Sequence, residues 1–312
     1  MAADATPPKG TPDRMQDRTP STPAAASGLP APLSSRMTRA QKVQVLNLVR
    51  RAARAEILPR FRSLSAADIA QKTGPQDLVT EADRAAERMI TRGLQALWPD
   101  ALIVGEEEAS SRPELVSRIG DAETGFTIDP VDGTWNFANG LPLFGVMVAM
   151  TRYGVPVFGL IYDPVIDDCI WAEAGGAAEF VKGQRRPKPL SVSAGGQIAD
   201  LSGFAGLYLL PQDKQERFAA TLPRLSRAVS MRCAAHEFRT MAQGGVDFVL
   251  AAKVTPWDHT PGALIIERAG GHVAMLDGTD YRAGRTDGYL LAAADRPTWN
   301  RLRDLWSFLL ES

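Results

Sequence analysis

The stretch Phe126-Thr127-Ile128-Asp129-Pro130-Val131-Asp132-Gly133-Thr134-Trp135-Asn136-Phe137 runs a short apolar segment into two carboxylates, a turn and a helix start. Residues 126–128 read as a buried strand, and acids at strand ends are where α/β proteins commonly place their sites. Pro130 fixes one φ angle and Gly133 permits a tight turn, so the carboxylates of Asp129 and Asp132 can be folded toward one point. Two acids facing one point repel. A hard divalent cation resolves that repulsion, and Mg²⁺ prefers oxygen ligands at about 2.0–2.1 Å in octahedral geometry. Gly133 and Thr134 precede a helix start at residues 135–137, whose free backbone N–H groups suit a phosphate. Taken singly, each of these aspartates also reads as an ordinary turn or capping residue.

Two further acidic groups follow apolar or aromatic residues. Leu102-Ile103-Val104-Gly105 leads into Glu106-Glu107-Glu108, and Trp257-Asp258 leads into a helix. Asp83 has a plain structural reading, because Thr80 and Asp83 have capping-box spacing at the start of a helix carrying Ala82, Ala86, Ile90, Leu94 and Leu97 before Pro99. An earlier helix starts at Thr38, with Gln41 completing a capping box, and carries Leu46, Val49, Ala53 and Ile57 up to a stop at Pro59. The segment between these helices reads as a loop through Gly74 and Pro75. Strands are expected at 101–104, 126–128, 143–150, 155–162 and 168–172, with a hairpin at Arg152-Tyr153-Gly154. Beyond residue 190, helical and strand-like pieces alternate: 213–225, 234–243, 246–250, 261–269, 271–275, 288–293 and 297–310. The chain is therefore α/β (α+β), with an N-terminal half over 37–190 carrying most of the candidate ligands and a C-terminal half over 191–312 completing the site.

Composition bounds the function. The chain has 312 residues, 45% of them hydrophobic and 23% charged, so a sizeable core is available. A formal net charge of -1 gives no global reason to expect nucleic acid or an anionic membrane as the main partner. No apolar run approaches the roughly 20 residues needed to span a bilayer. Cys169 and Cys233 lack ligand spacing and read as reduced structural thiols of a cytoplasmic protein. His236, His259 and His272 form no zinc motif, and His259 reads as a packing or capping residue. Residues 1–36 hold seven of the 22 prolines and few large apolar side chains, which predicts a disordered tail. Arg185-Arg186 reads as a solvated hairpin loop.

Four motifs together resemble the signatures of the inositol monophosphatase family of Mg²⁺-dependent, lithium-sensitive phosphatases: Asp77-Leu-Val-Thr80-Glu-Ala-Asp83; Gly105-Glu106-Glu107; Asp129 through Phe137; and Trp257-Asp258-His-Thr-Pro-Gly262 continuing to Ala269-Gly270-Gly271. The resemblance spans about residue 38 to the C-terminus and implies a layered αβαβα sandwich of the inositol monophosphatase and fructose-1,6-bisphosphatase type, usually a homodimer. It implies a first metal on Glu106, Asp129 and the carbonyl of Val131, and a second on Asp129, Asp132 and Asp258. Asp83 and Thr134, with Glu106, would serve catalysis by activating water. Asp132, Gly133, Thr134, Ala234 and Asp258 would line the substrate site. Two or three Mg²⁺ ions per site and inhibition by Li⁺ follow from the same resemblance, with Glu107 and Glu108 outside the ligand set.

The leaving-group side departs from the family. Ala251 stands seven residues before Asp258, where the family places a glutamate that contacts inositol hydroxyls, and alanine offers no acceptor. Lys253 is a candidate contact to an anionic leaving group, or a plain surface lysine. The expected substrate is a small polyol or sugar phosphate, with histidinol phosphate or 3′-phosphoadenosine 5′-phosphate as alternatives. An interaction role in a transcription complex, as some bacterial relatives have, is the non-enzymatic alternative.

Overall fold

The computed structural model describes residues 37–74 and 76–311; the expected tail at 1–36 lies outside them. Thr38 starts α1 (Arg39–Ala52) through a reciprocal capping box: Thr38 N donates to Gln41 Oε1 at 2.8 Å, and Gln41 N donates to Thr38 Oγ1 at 3.2 Å. The helix runs on as a π-helical turn over Ala53–Ile57. An antiparallel hairpin, β1 (Ile69–Gly74) and β2 (Asp77–Thr80), then leads into α2 (Glu81–Leu97). Val45, Leu46 and Val49 of α1 and Ala82, Ala86, Ile90 and Leu94 of α2 are all buried, so both apolar stripes face inward.

They cover one face of a seven-stranded sheet ordered β3 (Leu102–Gly105), β4 (Gly125–Asp132), β5 (Gly145–Arg152), β6 (Val155–Asp163), β7 (Asp168–Glu173), β8 (Glu179–Lys182) and β9 (Lys188–Pro189). Only β3 and β4 pair in parallel. Short helices α3 (Glu106–Ser111) and α4 (Glu114–Arg118) link those two strands, and α5 (Thr134–Ala138) follows β4. The second sheet has the order β11-β10-β12-β14-β13, built from β10 (Ser202–Ala205), β11 (Arg227–Val229), β12 (Phe248–Ala251), β13 (His272–Met275) and β14 (Leu290–Ala293). Helices α7 (Ala234–Ala242) and α8 (Pro256–Arg268) lie between the sheets, where Met147, Ile161 and Ile170 share one core with Phe238, Leu264, Val249 and Val273. On the far side, Phe218 of α6 (Gln212–Ala219) and Trp299 and Leu302 of α9 (Arg296–Leu305) pack with Phe248 and Leu291. The layers therefore alternate helix, sheet, helix, sheet, helix, which is the expected αβαβα sandwich.

Gly159 lets α8 approach the first sheet. A Cβ there would lie 2.7 Å from the carbonyl oxygen of Pro261, so any larger residue would push α8 and its Asp258 away. Among the described residues, no helix is long and apolar enough to cross a membrane.

Several local expectations are corrected. Residues 69–74 and 77–80, in the segment read as a loop, pair as the antiparallel strands β1 and β2. Strand β4 continues through Asp129-Pro130-Val131-Asp132 instead of stopping at Ile128. Helix α8 starts at Pro256, not Pro261; proline is tolerated near a helix start because the first N–H groups have no intrahelical partner. The helix expected at 213–225 ends at Ala219, with a separate 3₁₀ turn over Leu222–Arg224. Strands β10 and β11 were not anticipated, being short and only partly apolar.

Candidate active site

In a regular strand, residues three apart point to opposite faces. Asp129 and Asp132 escape that rule because β4 bulges against β5: Asp129 pairs with Met147 and Asp132 with Gly145, three steps against two. Pro130 lies inside the irregular segment, where a missing N–H removes no ladder bond that a regular strand would need. Gly133 closes the turn at φ +89, and α5 begins at the next residue. Val131 N donates to Asp129 Oδ1 at 3.0 Å, which fixes the first carboxylate at the base of the turn.

Glu106 arrives from the end of β3 and Asp258 from the first turn of α8. One carboxylate oxygen each from Glu106, Asp129 and Asp258 lies within 4.8 Å of the others. Burial, then the charges of Asp258 and Glu107, push the Glu106 carboxyl up to about 8, against the lowering pull of Lys72. Burial, followed by Glu106, Asp258 and Asp132, raises Asp129 well above the usual carboxylate range. Asp132 is pushed up to about 7 by burial and by Asp258. It stands beside the three-carboxylate group, with its Oδ2 accepting from Ala235 N at 2.6 Å and from the Cys233 thiol at 3.0 Å. The backbone of Ala234 also faces this carboxylate.

Asp83 fulfils its capping reading and also lies against Thr134. Its Oδ2 accepts from the backbone N–H of Thr80 at 2.8 Å and from the Thr80 hydroxyl, completing the capping box of α2. Its Oδ1 faces Thr134 Oγ1 at 3.1 Å, and that hydroxyl also lies 3.0 Å from the carbonyl oxygen of Val131. A hydroxyl has one proton to donate, so Thr134 can give it to Asp83 or Val131 and accept from a third group. Burial raises the Asp83 carboxyl to about 6.

Four supporting groups escaped the sequence reading. Glu87, one helical turn after Asp83, holds the start of α3: its carboxylate accepts from Glu107 N at 2.8 Å and Glu108 N at 2.9 Å, and burial pushes it up to about 7. Lys72 of β1 bridges Glu106 at 2.7 Å and Glu107 at 2.6 Å; the two carboxylates outweigh its burial and raise its pKa. Cys233 touches Asp132 through its thiol. Asn136 Nδ2 donates to the carbonyls of Leu143 and Met231, both at 2.9 Å, tying α5 to the loop before α7. The spacing of Asp83 and Glu87 could have flagged Glu87; nothing near Lys72 in sequence signals its long-range partners.

The remaining expectations find their places. His259 is buried and caps the start of α8, with Thr255 N donating to Nδ1 at 3.1 Å. Ala251 is half-buried against the same core between the sheets that holds Cys233 and Ala234. Lys253 is exposed on the loop between β12 and α8. The three-carboxylate group contains only oxygen donors, which suits a hard cation such as Mg²⁺ and not zinc.

A family model described as the inositol monophosphatase family matches residues 40–307. The chain belongs to the inositol monophosphatase family. A relative named fructose-1,6-bisphosphatase/inositol-1-monophosphatase, from Thermotoga maritima, is 30% identical, with 69% of this chain and 78% of that protein covered. The Nus factor SuhB of Vibrio cholerae is 29% identical, with coverage of 81% and 92%. Among solved structures, the Thermotoga maritima IMPase TM1415 matches with a TM-score of 0.69 at 25% identity, covering 85% of this chain and 96% of that one. As in other inositol monophosphatase family chains of known structure, the backbone here is the layered α/β sandwich.

Proposed function

We propose that this protein hydrolyses the phosphate monoester of a small polyol or sugar with Mg²⁺. The observation that carries the proposal is the convergence of Glu106, Asp129 and Asp258 within 4.8 Å, next to the Asp83–Thr134 pair. Glu106, Asp129 and the Val131 carbonyl would hold one ion, and Asp129, Asp132 and Asp258 a second. Bound there, Mg²⁺ supplies a lowered pKa for water and charge stabilisation at the attacking and leaving oxygens of an in-line displacement.

The chain's own groups do the rest. Thr134 Oγ1 orients the attacking water while passing its own proton toward Asp83, whose pKa of about 6 suits it to accept one at neutral pH. The backbone N–H groups of Gly133 and Thr134, at the start of α5, receive the phosphate. Glu87 keeps Glu106 facing the site by holding the first turn of α3. Asp132, anchored on α7, lies on the leaving-group side with Ala234. We further propose a homodimer in the cytoplasm, consistent with two buried free thiols.

The test is phosphate release from a panel including myo-inositol 1-phosphate, sugar phosphates, histidinol phosphate and 3′-phosphoadenosine 5′-phosphate, with Mg²⁺, EDTA or Li⁺. Release that needs Mg²⁺ and falls with Li⁺ supports the reading; release indifferent to EDTA refutes it. The similarity to a protein named Nus factor favours a second, interaction role. Salt-sensitive binding to RNA or RNA polymerase that survives Asp129→Asn would support that role; its absence would count against it.

A further inference from the structure

Residues 230–233 form a tightly held loop on the wall of the site. Glu237 Oε1 accepts from Met231 N at 2.8 Å and from the Ser230 hydroxyl at 3.3 Å, while Asn136 holds the Met231 carbonyl from the other side. At the next position, Cys233 contacts Asp132. Between these anchors Arg232 has φ +55, a left-handed backbone that L side chains rarely adopt. Of the other non-glycine residues with positive φ, Tyr153 and Asp167 occupy hairpin turns and Arg62 a turn after α1. Among the described residues, Arg232 alone combines this backbone with a place beside the candidate site, and strain of this kind gathers where a side chain must be aimed.

The strained backbone aims the guanidinium across the face of Trp135, the residue after Thr134, with Cζ 4.1 Å from the ring centroid. Nη1 donates to Gln76 Oε1 at 3.0 Å and Nη2 to the Gln76 carbonyl at 3.5 Å, linking the loop to the residue before β2. No carboxylate among the described residues forms an ion pair with it, unlike Arg50 with Asp167 or Arg285 with Asp277. Its pKa is lowered by burial alone, whereas those two arginines have raised values and carboxylate neighbours. Stacking and the two bonds to Gln76 leave three of its five N–H donors for a ligand.

We propose that Arg232 sets the substrate preference of the site by binding a second anionic group, a phosphate or a carboxylate, on the organic part of the ester. The assignment rests on the phosphatase reading above and narrows it to doubly anionic esters. A planar guanidinium preorganised on an aromatic face matches either oxyanion in a bidentate manner.

Two substrate pairs test it: fructose 1,6-bisphosphate against fructose 1-phosphate, and 2-phosphoglycerate against glycerol 2-phosphate. The measured quantity is the ratio of kcat/KM within each pair. Wild type should favour the doubly anionic member of one pair, and which pair it is distinguishes phosphate from carboxylate. Arg232→Gly accepts the left-handed backbone without strain, so the variant should fold with an unchanged or higher Tm. It should lower the favoured ratio about tenfold, mainly through KM of the doubly anionic member. Arg232→Lys should recover part of that ratio. A ratio unchanged by Arg232→Gly in both pairs, or a wild type that prefers the singly phosphorylated members, overturns the assignment while leaving the phosphatase reading intact. Wild type releasing phosphate from no ester with Mg²⁺ overturns both.

Discussion

Replacing Asp129 with asparagine removes one charge from a buried group of like charges while nearly preserving its shape. The asparagine carbonyl oxygen can keep the 3.0 Å bond from Val131 N, and its NH₂ can donate toward Asp258. At separations up to 4.8 Å, two unit charges repel by about 3 kcal/mol at an effective dielectric of 20. Part of this repulsion is already relieved by protonation, since the Asp129 pKa is raised, so the net relief is about 1–3 kcal/mol near neutral pH. For a chain of 312 residues, each kcal/mol shifts Tm by roughly 1.5–2 °C. Metal-free Asp129→Asn should therefore melt a few degrees above the metal-free wild type, against the usual trend for a substitution at a buried polar residue. Wild type should gain about 2.7 kcal/mol from Mg²⁺ at a hundred times its Kd, and the variant almost none. Differential scanning fluorimetry with EDTA and across a Mg²⁺ titration reads both effects. A variant that melts below wild type in EDTA, or keeps the full Mg²⁺ shift, would refute the like-charge account of this cluster.

Three other outcomes are expected. Thr134→Ala should lower kcat by about 10²–10⁴ while changing Mg²⁺ affinity little, because the hydroxyl orients water; calorimetry showing an equal loss of affinity would contradict that division. The raised carboxyls of Glu106, about 8, and Asp132, about 7, bind protons in the folded chain above the pH where they would ionise unfolded. Metal-free stability should then fall as pH rises from about 4.5 toward 8, and Mg²⁺ binding near neutral pH should release protons, seen as a calorimetric heat that depends on buffer ionisation enthalpy; a buffer-independent heat would be inconsistent with this. Glu87→Gln turns an NH₂ toward one of two backbone donors, so it should destabilise by about 1–3 kcal/mol and weaken Mg²⁺ binding by misplacing Glu106; unchanged binding would remove Glu87 from that role.

The sequence made the residues of the candidate site legible because the motifs are local. Asp129-Pro130-Val131-Asp132-Gly133-Thr134 encodes its own turn, and Thr80 with Asp83 encodes a cap visible from spacing alone. Two helices and most of the first sheet could be read from apolar periodicity. The bulge between Asp129 and Asp132 could not, because it exists only as a register against β5. The β1–β2 hairpin escaped because its strands are short and largely polar, so Lys72 was missed with it. Glu87, Cys233 and Arg232 act across separations of 20 residues or more, where spacing carries no signal. Ala251 was legible as a missing acceptor, but a cation for the leaving-group side was sought at Lys253, whereas the strained backbone draws attention to Arg232.

The account's central claim is that water attacks phosphorus at the Glu106–Asp129–Asp258 site in a reaction that needs Mg²⁺. The most direct measurement is hydrolysis of an accepted ester in water enriched in heavy oxygen, with Mg²⁺ and with EDTA, using wild type and Asp258→Asn. The account predicts one labelled oxygen in the released phosphate and none in the alcohol, only with wild type and Mg²⁺. Label in the alcohol, or full turnover by Asp258→Asn or in EDTA, would contradict it.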